Sequence, residues 1–384
     1  MKRRLAVVAA LVAALTAAAC GSNSDNSSTT SAGAGPTSAA ATSAAATSAA
    51  ATSDAGTSSA AGSDAGSADA SATDTAASSG GAGGELPPIN EATLDGAVVG
   101  FAQVGSESGW RAANTDDIKA TAEKYKVDLQ FTSAEGEQAK QIASIKTFIT
   151  QGVDVIAFSP VVETGWDAVL QEAKAANIPV ILTDRAVDSD PSLYKTFIGS
   201  DFIKEGEKAG NWAKTEFADA DEVNYVVLEG TTGSAPANDR AEGWDNILGS
   251  ETKFKKLASQ TGKFTRDDGK KVMEGFLAKY PNIDLLYAHN DDMGLGAIEA
   301  IEAAGKVPGK DIKIVSVDAV KAGMEALAAG KINYIVECSP LLGEQLFQAV
   351  GGVLDGKEIP ARVITIEGEF NQEQAKEALP TRKY

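Results

Sequence analysis

Histidine occurs once in these 384 residues, at His289, and cysteine twice, at Cys20 and Cys338. That inventory excludes a histidine-rich zinc site and a relay of histidine bases, and the two cysteines have no metal-like spacing. A Ser/His/Asp triad has to use His289, which lies in a predicted strand end, Tyr287-Ala288-His289-Asn290, and no G-x-S-x-G elbow accompanies it. Basic residues are also scarce, 34 against 53 acidic ones, for a net charge of −19. Nucleic acid is thereby excluded as a partner, because phosphate binding needs concentrated Lys and Arg. The acidity reads as solubility.

The first hundred residues lack apolar bulk after an opening run. Lys2-Arg3-Arg4 precede the apolar segment Leu5–Leu15, which is too short to span a bilayer comfortably, and Ala17-Ala18-Ala19-Cys20-Gly21 follows. This resembles a bacterial lipoprotein signal over residues 1–20, in which Cys20 becomes the lipidated first residue, although Ala17 stands where leucine is usual. An Ala-x-Ala signal with a free cysteine after it is the alternative. Residues 21–94 are expected to form a disordered tether rich in Ala, Ser, Thr and Gly, too poor in apolar groups to offset the entropy of ordering. From Gly21 to Gly84, 64 residues of flexible chain have an r.m.s. span of roughly 45 Å.

Beyond the tether, short apolar runs alternate with helical patterns, as in βα units of a parallel sheet. Ala97–Ala102 is the first strand. A polar turn, Gly105-Ser106-Glu107-Ser108-Gly109, carries it into a helix that begins near Trp110-Arg111. Strands follow at Val127–Ser133, Val153–Ser159, Pro179–Thr183 and Lys195–Gly199, with helices at Gln138–Thr150 and Gly165–Ala176 between them. The pattern then restarts with a helix at Phe202–Phe217 and strands at Asn224–Leu228, Asp284–Ala288, Ile312–Val317 and Ile332–Val336. Two such sets predict an α/β protein of two doubly wound parallel-sheet lobes facing each other. The expected division is 95–200 plus 338–363 for the N-terminal lobe and 201–337 plus 364–384 for the C-terminal lobe.

Open sheets bind ligands at the carboxyl ends of their strands, and the polar residues there form a consistent set. Gln103 to Arg111 follow the first strand, Asp184-Arg185 the fourth, and Asp239-Arg240 stand at a helix start; Asn290-Asp291, Asp318 and Glu337 follow second-lobe strands. Carboxylates accept from adjacent hydroxyls while arginine and asparagine donate, and such charge-assisted bonds are about twice as strong as neutral ones. Trp110 adds a flat apolar face, so the pair Trp110-Arg111 suits a sugar, which has C–H patches on one face and hydroxyls at the rim. Each residue has a plainer alternative: Trp110 covering core, Asp184-Arg185 a local ion pair, Asn290 the N-cap of the next helix, Glu337 a hinge hydrogen bond. Trp166, Trp212 and Trp244 read as packing, and Cys338 as a small buried hydrophobe.

VGSESGWRAA (104–113), QGVDVIAFSPVVETGW (151–166), PVILTDR (179–185), ANDRAEG (237–243), YAHNDDMGLGAI (287–298) and VSVDAV (315–320) resemble the ribose-type sugar-binding proteins of ABC importers, most nearly their galactofuranose-binding members. The resemblance covers nearly the whole chain after the tether. It implies the type I periplasmic binding protein fold, two lobes joined by a three-strand hinge that close on one sugar and perform no chemistry. Carried over by position, the family's ligand contacts fall on Glu107, Ser108, Gly109, Trp110 and Arg111, on Asp184 and Arg185, and on Arg240, Asn290, Asp318 and Glu337. Glu337 stands at a crossover position that is often glutamine in ribose binders. That departure speaks against ribose, and SESGW, where ribose binders carry phenylalanines in the turn, favours the galactofuranose-like member. The partners implied are a monosaccharide, an ABC permease and the membrane, through the lipid at Cys20; no cofactor, metal or nucleic acid is expected, and the chain should be a monomer outside the cytoplasm. A sugar-sensing receptor with the same lobes, or a binder of ribose, arabinose or inositol, is the alternative. A repressor core is excluded for want of a basic headpiece, and a glycosidase is disfavoured because arginine beside Asp184 suits an ionised carboxylate rather than a raised-pKa acid.

Overall fold

The structure, a computed structural model, describes residues 84–384; the signal segment, Cys20 and most of the expected tether lie outside them. The tether ends earlier than residue 94. Leu86 and Leu94 are buried against Ile118, Phe347 and Val350, and a short helix α1 (Glu91–Leu94) precedes the first strand. Each buried leucine contributes about 2 kcal/mol, enough to pin a segment that composition alone reads as loose.

Strands β1 (Val98–Gln103), β2 (Asp128–Ser133), β3 (Val155–Phe158), β4 (Val180–Thr183) and β5 (Thr196–Gly199) alternate with helices α2 (Gly109–Lys124), α3 (Gln138–Gln151) and α4 (Asp167–Ala175). Helix α5 (Phe202–Glu216) opens the second set: β6 (Val223–Glu229), α6 (Ala235–Leu248), β7 (Phe254–Thr261), α7 (Arg266–Lys279), β8 (Leu285–Ala288), α8 (Asp291–Ala303), β9 (Lys313–Asp318), α9 (Lys321–Ala328) and β10 (Tyr334–Glu337). The chain finishes with α10 (Gly343–Leu354), β11 (Arg362–Ile364), β12 (Glu369–Phe370) and α11 (Gln372–Ala378).

The strands pair into two six-stranded sheets, ordered β2-β1-β3-β4-β5-β11 and β7-β6-β8-β9-β10-β12. The first five strands of each run parallel in the same doubly wound order. Strands such as Val155–Phe158 and Leu285–Ala288 are buried along their whole length, as expected where helices cover both faces of a parallel sheet. Each sheet borrows its sixth strand from the C-terminal part of the chain, β11 parallel to β5 and β12 antiparallel to β10.

Three crossings therefore join the lobes: after β5, after β10, and between β11 and β12. They are stitched together at Glu367. Its Oε1 accepts from Ser200 Oγ on the first crossing, from Ser339 N on the second at 2.9 Å, and from Thr365 Oγ1 on the third at 2.8 Å. Away from the hinge the lobes also touch: Glu163 N donates to Gly233 O at 2.9 Å and Asn238 Nδ2 to Glu163 Oε2 at 2.5 Å. The cleft is closed.

Candidate functional site

Ser108 sets the first wall. It N-caps α2, its Oγ accepting from Arg111 N at 3.1 Å, which starts the helix immediately after the polar turn and puts Trp110 and Arg111 in its first turn. Arg111 is buried and makes four side-chain hydrogen bonds: Nε to Glu107 at 3.0 Å, Nη1 to Gln103 at 3.3 Å and Ser159 at 3.4 Å, and Nη2 to Asp184 at 2.6 Å. Its guanidinium lies 4.6 Å from the centre of the Trp110 ring. The fork thus binds two carboxylates and stiffens the wall on which Trp110 sits.

Asp184 and Arg185 arrive at the end of β4. Asp184 adopts φ of 62°, a left-handed conformation that turns its side chain back toward Arg111, and Gly199 permits it: a Cβ there would lie 2.8 Å from the Asp184 carbonyl oxygen. Asp184 Oδ2 also accepts from Ser159 Oγ at 2.8 Å. Burial pushes this carboxyl up, but the guanidinia of Arg111 and Arg185 outweigh it and hold the pKa below its ordinary value. Glu107 behaves likewise, for the same three reasons. Arg185 donates to the Val161 carbonyl at 3.2 Å and to Glu107 at 3.3 Å, leaving its buried Nε without a hydrogen-bond partner. Burial and the nearby Arg111 charge push it down to about 10, so it remains a cation at neutral pH.

The second lobe supplies the opposite wall. Arg240, on α6, donates Nε to Glu205 at 2.7 Å and Nη1 to the His289 carbonyl at 2.6 Å, and its Nη2 lies 3.9 Å from Asp318 Oδ1. Asp318 ends β9 with φ of 119°, and its buried Oδ2 has no partner. Burial raises its carboxyl well above the ordinary value, Arg240 opposing and Asp291 adding to the rise. Asn290 is the foreseen N-cap and also lines the cavity. Its Oδ1 caps α8 by accepting from Met293 N at 3.0 Å, while Nδ2 donates to the Phe264 carbonyl at 3.1 Å.

These side chains enclose about 280 Å³ of non-atom space, small for a ligand pocket. Glu107, Ser108, Trp110, Arg111, Asp184, Arg185, Arg240, Asn290 and Asp318 all face it. Two expected residues do not. Gly109 instead donates its N–H across the cleft to Asp292 Oδ2 at 2.8 Å. Glu337 turns to the C-terminus, accepting from Arg382 Nη1 at 2.7 Å, Tyr384 OH at 2.8 Å and Gly368 N at 2.7 Å, so the hinge alternative describes it. Trp110 is wall and core together: its ring packs among second-lobe apolar residues and its Nε1 donates to the Cys338 carbonyl at 2.7 Å. Asp239 and Arg240 lie inside α6 and not at its start, where Ser234 is the N-cap. Cys338 is buried as expected, but it also lines the cavity.

Pro236 and Phe264 line the cavity without having been singled out from the sequence. Phe264 faces Arg185 and Arg240 at 5.3 and 6.0 Å from ring centre to guanidinium carbon and adds a second aromatic ring to the lining beside Trp110. The only sign of it in the sequence is an isolated aromatic in a polar turn, Thr261-Gly262-Lys263-Phe264-Thr265. The site as a whole is a closed chamber with aromatic walls, lined by fixed ionised groups and a few free polar atoms. His289 does not line it: its carbonyl accepts from Arg240, and its ring is buried and held neutral by burial, with Arg240 reinforcing that.

Residues 99–358 match the periplasmic binding protein domain family. The galactofuranose-binding protein YtfQ of Escherichia coli is 42% identical over 290 residues, covering 74% of this chain and 91% of its own. A Mycobacterium smegmatis protein solved in complex with β-D-fucofuranose superposes with a TM-score of 0.74 at 60% identity, covering 75% of this chain and 95% of that one. The binding component of the arabinose ABC transporter of Shewanella sp. ANA-3, bound to α- and β-L-arabinofuranose, gives 0.72 at 44% identity, over 74% and 95% of the two chains. The chain belongs to the periplasmic binding protein family, a solute-binding protein rather than an enzyme.

Proposed function

We propose that this protein is the extracytoplasmic sugar receptor of an ABC importer, that it binds one monosaccharide in furanose form, of galactofuranose type, and that a lipid on Cys20 holds it at the membrane. The observation that carries the sugar reading is the pairing of unsatisfied polar atoms with aromatic walls. Arg185 Nε, 3.6 Å from Asp184 Oδ2, and Asp318 Oδ2 are buried, make no hydrogen bond and belong to side chains that line the cavity with Trp110 and Phe264. An unmade hydrogen bond at a buried group costs about 1–3 kcal/mol, and a hydroxylated ring satisfies both a donor and an acceptor while its C–H face covers the indole. The small cavity favours a single ring. Relatives that bind galactofuranose, fucofuranose and arabinofuranose support the furanose form. Residues 1–20 support the anchor, with their basic start, short apolar run and Cys20.

Calorimetric titration tests this. Equilibrated D-galactose, which supplies both ring forms, is compared with arabinose, ribose, glucose and myo-inositol. Micromolar or tighter binding of a sugar, seen as its furanose in the complex and weakened at least 100-fold in Trp110→Ala, supports the reading. Binding of a pyranose form removes the furanose assignment, and no binding to any sugar removes the sugar.

A further inference from the structure

Arg240 and Asp318 are the cation and the carboxylate that the second lobe brings to the sugar chamber. Opposite charges on neighbouring side chains ordinarily pair, and a pair that closes on itself occupies the hydrogen-bonding groups a sugar needs. Here the two stay apart. Arg240 Nη2 lies 3.9 Å from Asp318 Oδ1, beyond hydrogen-bond distance, and Asp318 Oδ2 has no partner.

Three contacts fix Arg240 where it is. Nε donates to Glu205 Oε2 at 2.7 Å, Nη1 donates to the His289 carbonyl at 2.6 Å, and the guanidinium carbon stands 5.1 Å from the centre of the Phe202 ring. The guanidinium is one rigid plane, so fixing Nε and Nη1 fixes Nη2 as well. Phe202 and Glu205 are three residues apart on one face of α5. Helix α5 meets α6 closely enough to present them: a Cβ on Gly206 would run into the Arg240 carbonyl oxygen, and one on Gly243 into the Ile203 carbonyl oxygen. A side chain at either glycine would push the helices apart and draw Glu205 off its arginine.

Glu205 is buried but does not line the chamber. Among the described residues, Glu205 and Asp318 are the two carboxylates that Arg240 reaches, at 2.7 and 3.9 Å. Without Glu205 the guanidinium is left with Asp318. Burial raises the Asp318 carboxyl and Glu205 adds to the rise, so losing Glu205 also makes Asp318 a stronger partner for Arg240. All of these residues belong to the second lobe, and their arrangement therefore does not depend on closure.

Resting on the furanose reading above, we propose that Glu205 is a positioning residue for the sugar: it holds Arg240 clear of Asp318, so that both side chains meet the ligand with hydrogen-bonding groups free. It acts through Arg240 and does not touch the sugar.

The test is titration with D-galactose and L-arabinose, both at ring equilibrium, of the native protein and of Glu205→Leu and Glu205→Gln, each alone and added to Asp318→Asn. Leucine removes charge and acceptor; glutamine removes the charge. We expect Glu205→Leu to weaken the sugar about tenfold or more, and Glu205→Gln to fall between it and the native protein. Added to Asp318→Asn, where no carboxylate remains to draw the guanidinium over, either change should cost less than about threefold. A role in stability alone would cost the same factor in both backgrounds. The sugar-free crystal structure of Glu205→Gln is a second measurement, independent of whether the leucine variant folds: an Arg240 nitrogen should stand within about 3.2 Å of an Asp318 oxygen. Undiminished binding by both Glu205 variants, equal losses in the two backgrounds, or an Arg240 unmoved in that structure overturns the inference and leaves the furanose reading standing. If the native protein binds neither sugar, the furanose reading fails and this inference fails with it.

Discussion

Asp184 and Asp318 occupy corresponding places, each ending a strand with a left-handed backbone of the kind that costs about 1–3 kcal/mol and persists where a site needs the geometry. Their electrical surroundings differ. Asp184 is clamped by Arg111 and approached by Arg185, whereas Asp318 has Arg240 at 3.9 Å and one carboxyl oxygen bare. Replacing Asp184 by Asn should therefore strike stability first, because it leaves a buried guanidinium short of charge; removing one partner of a buried pair costs about 3–5 kcal/mol. Asp318→Asn breaks no hydrogen bond the protein makes and should fold normally while binding sugar at least tenfold more weakly. Urea unfolding and calorimetry on both variants check this, and equal stability losses would contradict the division. The sequence showed only the neighbouring Arg185 as a difference between them; the clamp by Arg111, seventy-three residues back, and the bare oxygen of Asp318 were not legible. Most of the site was legible, because strand ends and the Ser-Gly-Trp-Arg turn are local features. Glu337 was not: its direction is decided by Arg382 and Tyr384, nearly fifty residues on. Phe264 escaped because it belongs to no periodic pattern, only to a left-handed turn.

Among the elements, the strands and helices read from apolar periodicity agree with the observed ones to within a few residues, since a buried parallel strand and an amphipathic helix are both patterns of neighbours. The hinge is the part that periodicity cannot supply. It depends on Glu367 receiving donors from three crossings that are far apart in the chain. Glu205 and Cys338 stand close to Glu367, their ligand-capable atoms all within 4.8 Å, and Glu205 in turn holds Arg240 of the sugar chamber. Burial, with the Glu205 charge next, pushes Glu367 from 4.5 up to about 8. A carboxyl raised on folding binds its proton more tightly in the native state, so its contribution is full below about pH 4.5 and is lost as pH rises through about 8. We expect the protein to lose roughly 4–5 kcal/mol across that window, and Glu367→Gln, which is neutral throughout, to flatten the slope. Thermal unfolding of both proteins between pH 5 and pH 9 measures it. A native slope matched by the variant would place the titration elsewhere.

At the scale of the molecule, ligand binding and closure are one equilibrium: a sugar that touches both walls stabilises only the closed arrangement, and anything that weakens that arrangement lowers the apparent affinity by the fraction of closed protein lost. The contacts that close the cleft away from the chamber are few. Gly109 N donates to Asp292 Oδ2 at the start of α2, and Glu163 meets Gly233 and Asn238 at the mouth. Gly109 is thus a residue the family motif marks for the ligand but which here serves closure, and Asp292 is its acceptor although no side-chain atom of it lines the chamber. Asp292→Ala removes that acceptor and leaves the chamber as it is. A hydrogen bond between a charged acceptor and an amide at a helix start is worth about 1.5–3 kcal/mol, so sugar should bind roughly ten- to a hundredfold more weakly by calorimetry. The enthalpy per bound sugar should fall less than in Trp110→Ala, because the contacts to the ring are intact once the lobes meet. Small-angle scattering separates the two effects: Asp292→Ala should need more sugar to reach the compact radius of gyration yet reach it at saturation. A variant that stays expanded at saturating sugar would mean that Asp292 shapes the closed geometry itself and does more than shift its population.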